Sequence, residues 1–218
     1  MHWHKKLQDD LSRIDRFVRP GHAVDRVALS RLEVMVLNLE DRRFFRHCGV
    51  DAWSVAREVI KLIRGRKYGG ASTIDMQFVR TATGYRALTL KRKLYEGLLA
   101  ILIQFRYTKI EILESYLACA HFGYGLTGAE TAAQKLFGKT ANELGPLEAA
   151  LLSAMLARPR PAGASLAWQR RVEKRAAYAI EVSTSGRLSL PRRMRDAIAI
   201  SPPLLPEEPQ KLEFPEIV

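Results

Sequence analysis

A chain of 218 residues, 47% hydrophobic and 27% charged, has an ordinary globular composition and enough length to bury a substantial core. Its 35 Lys and Arg against 23 Asp and Glu leave a net charge of +12, which favours polyanionic partners: nucleic acid, anionic lipid head groups or a pyrophosphate-bearing substrate. The cysteines, Cys48 and Cys119, are too few for a disulfide framework or a zinc site.

Taken in order, residues 1–30 open on the polar run MHWHKKLQDD, carry no secretory signal pattern and read as an arm. The stripe Leu32, Val36, Leu39 predicts a helix ending near Glu40. Asp51 predicts the cap of a helix through Arg64, with Trp53, Ala56, Ile60 and Ile63 at helical spacing. Thr89 predicts another cap, before the stripe Leu90, Leu94, Leu98, Ile101, Phe105. Thr108 with Glu111, Thr127 with Glu130, and Thr140 with Glu143 each fit a capping box. Pro146 starts an apolar helix, Leu147 to Ala157, that stops before Pro159. Arg158 to Ala164 reads as a connection, Ala167 to Ser183 as a basic helix and Pro191 to Ile200 as a shorter one. Residues 201–218 form a proline-rich tail. Strand patterns are scarce, so the fold class is mostly α, with a core over 31–165 and basic helices over 166–200. No run reaches the roughly 18 apolar residues of a spanning helix; Gly97 to Phe105 is the longest, and reads as core.

Several local groupings could carry chemistry. Glu40 and Asp41 stand at a predicted helix end, where a side chain can project into a cleft. Like-charge repulsion from Asp41 would raise the proton affinity of Glu40, which suits a base. The same pair also reads as a surface acid cluster neutralised by Arg42, Arg43 and Arg46. Gly69-Gly70-Ala71-Ser72-Thr73 offers amides and hydroxyls to phosphate oxygens, or is simply a capped helix start. Arg92 and Glu96 share one helical face, directed away from the Leu90/Leu94/Leu98 stripe. If exposed, such an ion pair contributes only about 0.3–0.5 kcal/mol.

Set in order, these strings resemble the family 51 glycosyltransferases, the peptidoglycan transglycosylase domains of penicillin-binding proteins and their monofunctional relatives. The resemblance lies in Glu40-Asp41-Arg42-Arg43-Phe44-Phe45-Arg46-His47-Cys48-Gly49, in Gly69 to Arg80, in Arg92-Lys93-Leu94-Tyr95-Glu96, in Tyr107 to Leu117 and in Phe122 to Lys139. It covers roughly Val34 to Pro161. It implies a lysozyme-like, two-lobed transglycosylase fold and inverting polymerisation of lipid II with release of polyprenyl pyrophosphate. Glu40 is then implied as the base and Glu96 as the second essential carboxylate. Asp41, Phe44, His47, Ser72, Thr73, Gln77, Arg80, Arg92 and Lys93 are implied to line the substrate site. The chain departs from the pattern at Asp75, Met76, Leu88 and Ala118, and Asp75 brings a negative charge near a proposed anion site. The resemblance also implies a divalent cation, Mg or Mn, as a candidate cofactor, with no residue assigned as its ligand.

The implied partners are lipid II, the nascent glycan, a membrane surface and other cell-wall synthesis proteins. The implied location is the outer face of a bacterial inner membrane, held peripherally. A homologue impaired in turnover that still binds lipid-linked cell-wall precursor or a cell-wall synthesis partner is the alternative. Two carboxylates also suit glycan hydrolysis, but a hydrolase using water has no need of Arg80, Arg92 and Lys93 around a pyrophosphate. Nucleic acid is set aside for want of a helix-turn-helix or zinc pattern.

Overall fold

The computed structural model describes residues 2–18, 28–65, 70, 72–185, 188 and 190. The helix expected over Pro191 to Ile200 and the proline-rich tail lie outside them. The described chain is mostly α, as expected, with one two-stranded antiparallel sheet. Its backbone clusters into two compact units, Met1–Asp25 with Arg43–Tyr116, and Arg26–Arg42 with Leu117–Val218.

The first unit holds α1 (His2–Asp15), a 3-10 helix (Phe44–Arg46), α3 (Ala52–Ile63), α4 (Ile74–Thr83), α5 (Leu90–Ile103) and most of α6 (Lys109–Cys119). Helix α1 falls within the segment read as an arm. Buried Asp10 ties it down by accepting from the hydroxyls of Tyr85 at 2.7 Å and Tyr95 at 2.9 Å. Burial and that carboxylate push the Tyr85 phenol up to about 12. Asp15 accepts from Tyr107 and Arg106 in the same way. The expected caps at Asp51, Thr89 and Thr108 all form: Asp51 accepts from the Trp53 amide, Thr89 from that of Arg92, and Thr108 and Glu111 close a reciprocal box. Burial opposes the charge on Asp51, yet the Ser54 hydroxyl and Arg43 outweigh it and hold the carboxyl below its ordinary range.

The two apolar stripes of this unit do not face its core. Trp53, Ile60 and Ile63 of α3 are exposed, Trp53 by 65%. On α5, Leu90, Leu94 and Ile101 are exposed, as is Phe105 just past its end, while Glu96, Gly97, Leu99, Ala100 and Ile103 are buried. The close approach of loop to helix explains part of this inversion. Gly49 sits at φ +85°, and a Cβ there would lie 2.3 Å from the Ala100 carbonyl oxygen. Its own carbonyl accepts from the Thr73 hydroxyl at 2.6 Å, joining the loop to the start of α4. Gly49→Ala should therefore destabilise the protein by at least about 2 kcal/mol, from a left-handed backbone and a backbone clash together. Urea unfolding checks this, and an unchanged midpoint would refute the packing described.

The second unit holds α2 (Arg31–Glu40), β1 (His121–Gly123), β2 (Leu126–Thr127), α7 (Ala129–Phe137), α8 (Pro146–Ala157) and α9 (Leu166–Thr184). Helix α8 is apolar nearly all round and buried accordingly, packed by α2 and α9. Helix α2 opens on a capping box between Ser30 and Glu33 and buries Leu32, Val34, Met35, Val36 and Leu37. Each such side chain contributes about 1.5–3 kcal/mol of burial, so the end of α2 is firmly held. Of the other expected boxes, Thr127 with Glu130 is not formed. Thr127 belongs to β2, α7 starts after Gly128 at φ +85°, and Glu130 instead accepts from the Ala141 amide. A Cβ at Gly128 would meet the Ala118 carbonyl oxygen at 2.6 Å, so close strand–helix contact decides this start. The Thr140–Glu143 pairing forms, but it closes a turn; no helix follows until Pro146.

Candidate active site

Each unit gathers its own set of the residues singled out from sequence. In the first, Glu96 projects from the buried face of α5 and is 0% exposed. Arg92, one turn before it, donates to Oε1 at 2.8 Å; Arg80 of α4 donates from Nε to Oε1 at 3.2 Å and from Nη2 to Oε2 at 3.2 Å. The expected i,i+4 pair is present but is not a surface pair, because the Arg92 side chain is only 13% exposed. Arg80 keeps 36% of its side chain in solvent. One carboxylate thus assembles two guanidiniums, an arrangement that leaves a net positive charge on the group. Lys93 beside them is half-buried.

The start of α4 carries the next group. Thr73 is the N-cap, accepting from the Met76 amide at 3.2 Å, with Ser72 half-buried before it. Thr73 thus caps the start of α4. Gln77 accepts from the Tyr116 hydroxyl at 2.9 Å through Oε1. Asp75 is fully buried, and both its oxygens accept from Lys109 of α6, at 3.0 and 2.9 Å. The Gln104 amide donates to it as well, and His47 Nδ1 lies 3.9 Å away. The Lys109 ammonium also stands 4.3 Å from the centre of the Phe44 ring. The negative charge expected to trouble an anion site is therefore matched by a cation within the same unit. Phe44 is fully buried and meets His47 edge to face, so both brace the loop.

In the second unit Glu40 ends α2 and Asp41 follows it, buried, its amide donating to the Leu37 carbonyl at 3.0 Å. Arg175 of α9 donates from Nη2 to Glu40 Oε1 at 2.7 Å. The arginines adjacent in sequence go elsewhere. Arg42 donates to the Tyr178 hydroxyl and the Asn38 carbonyl, and Arg43 lies 3.5 Å from Asp51. Arg175 and Tyr178 had no local signal pointing to them; only their separation by three residues on a helix hints that they share a face. Arg170, Arg171 and Lys174 of the same helix are exposed.

The surroundings of Glu96 do not suit a divalent cation. Both of its oxygens already accept from guanidiniums, whose charge repels a metal, while Mg and Mn favour several free oxygen ligands.

Comparison with known proteins agrees with the motifs. The family model described as Transglycosylase matches residues 21–183. Over 136 residues the chain is 38% identical to a biosynthetic peptidoglycan transglycosylase of Xanthomonas oryzae pv. oryzae, covering 62% of this chain and 55% of that one. The corresponding protein of Xanthomonas euvesicatoria pv. vesicatoria is 37% identical over 136 residues, 62% of this chain and 54% of its own. Penicillin-binding protein 1A of Aquifex aeolicus is 40% identical over 134 residues, 59% of this chain and 18% of its own. The chain thus spans about half the length of the two peptidoglycan transglycosylases, and a smaller part of the third relative.

Proposed function

Since the chain belongs to the transglycosylase family, we propose that it polymerises lipid II into glycan strands by inverting transfer. In this reading Glu40 takes the proton of the acceptor hydroxyl as its oxygen attacks the anomeric carbon of the growing glycan. The bond from that carbon to the pyrophosphate breaks, and polyprenyl pyrophosphate leaves. Arg80 and Arg92, held by Glu96, stabilise the charge that develops on the leaving group. Lys93, Ser72, Thr73 and Gln77 bind the phosphates and sugars, while Asp41, Phe44 and His47 shape the surrounding loop.

The observation that carries this reading is the pair of guanidiniums gathered on one buried carboxylate. A hydrolase delivering water has little use for it; a departing pyrophosphate does. The departures at Asp75, Met76, Leu88 and Ala118 speak for lost turnover with binding retained; of these, the Asp75 charge is balanced by Lys109. The decisive experiment incubates purified protein with lipid II and resolves glycan products by electrophoresis. Failure of well-folded protein to make polymer would overturn the proposal.

The same reading places the work at a membrane surface, on its outer face, where lipid-linked substrate lies. No helix among the described residues is long and apolar enough to cross a membrane. Support for surface attachment comes from the exposed apolar residues of α3 and α5, from Phe105 just past α5, 84% exposed, and from the net charge of +12. Leu94→Glu combined with Phe105→Glu should cut binding to vesicles of anionic phospholipid by about tenfold or more, since each side chain offers about 1.5–3 kcal/mol of burial. Co-sedimentation measures it, and undiminished binding would show that these residues do not meet lipid.

A further inference from the structure

We propose that Arg175, with Tyr178 one turn further along α9, is a positioning residue that orients Glu40 for proton abstraction, an inference resting on Glu40 as the base. Glu40 is the last residue of α2, where unpaired carbonyls disfavour a carboxylate, and Asp41 follows at once. The guanidinium of Arg175 balances that charge and fixes one carboxylate oxygen at 2.7 Å. From the same face of α9, the Tyr178 ring and hydroxyl hold Arg42, the hydroxyl at 2.7 Å and the ring centre at 5.7 Å. Arg42 in turn closes on the Asn38 carbonyl at 2.9 Å. The turn Glu40-Asp41-Arg42 is thus gripped at both its ends by residues 135 and 136 positions away in sequence.

Helix α9 is a firm base for such a grip. It buries Trp168, Val172, Ala176, Ala179 and Val182, and the Trp168 indole donates to the Arg158 carbonyl at 3.1 Å. The Nε of Arg175 is buried with no hydrogen-bond partner among the described residues. The bond from Arg175 Nη2 to a single oxygen favours one orientation of the Glu40 carboxylate. Misplacing a base by an ångström lowers the rate of the chemical step while substrate still binds.

The test uses the full chain and lipid II, comparing wild type with Arg175→Ala, Arg175→Lys, Glu40→Gln and the double variant Glu40→Gln with Arg175→Ala. Arg175→Ala should lower kcat by about 10- to 100-fold with KM within about twofold, and Arg175→Lys should restore part of the loss. The double variant should be no slower than Glu40→Gln alone, since Arg175 acts through Glu40. An unchanged kcat, a loss confined to KM, or multiplicative losses in the double variant would overturn the inference. If Arg175→Ala does not fold, Arg175→Lys and Tyr178→Phe carry the test: kcat below wild type in both supports it, and wild-type kcat in both refutes it. Inactive wild-type protein sinks the polymerisation reading and this inference with it; active wild type without these losses sinks this inference alone.

Discussion

Glu40→Gln should lower the kcat of glycan polymerisation by about 10²–10⁴-fold while the protein stays folded. The amide keeps the shape and can still hydrogen-bond, but it cannot accept a proton at neutral pH. Folding should hardly suffer. Glu40 stands half-buried at the C-terminal end of α2, where the partial negative charge of the helix opposes a carboxylate. Removing the charge relieves that opposition and weakens the charge-assisted bond to Arg175, two effects of roughly 1 kcal/mol and opposite sign. A large catalytic loss with an unchanged unfolding midpoint is therefore the expected pattern. Polymerisation by Glu40→Gln within about threefold of wild type would exclude Glu40 as the base, whatever its place in the motif.

The residues with chemical character were legible because they sit in short ordered strings: Glu40-Asp41, Thr73 to Arg80, and Arg92 to Glu96. Helix caps at Asp51, Thr89 and Thr108 were legible for the same reason, since cap and donating amide lie within three residues. What covers a stripe was not. Periodicity revealed that α5 has one face with Leu90, Leu94 and Phe105 and another with Arg92 and Glu96. It does not say which face the protein core takes. In α5 the core takes the charged face, because Arg80 reaches Glu96 and Gly49 packs on Ala100. The partner of Glu40 was also illegible. The nearby arginines were the natural candidates, yet a residue on α9 supplies the guanidinium, a fact that only tertiary packing creates. Thr127 misled for a related reason: the cap pattern was there, but the β1–β2 pairing claimed the residue first.

Glu96→Gln should cost both activity and stability, and the combination separates it from Glu40→Gln. The carboxylate is fully buried, with Arg92 nearly so, and the substitution leaves that guanidinium without a counter-charge. Breaking such a buried pair typically costs about 3–5 kcal/mol. Arg80 is one-third exposed and solvent screens its share, so about 2–4 kcal/mol is expected here. The catalytic loss should reach about 10²–10³-fold, because two cations lose the anchor that aims them at developing negative charge. Arg80→Lys sharpens the argument. It keeps the charge but loses the forked contact to both Glu96 oxygens, so it should lower kcat while sparing most of the stability. If Glu96→Gln proved as stable and as active as wild type, the buried pair would be mere filling. The guanidiniums would then find their orientation elsewhere, and the account of leaving-group stabilisation would lose its footing.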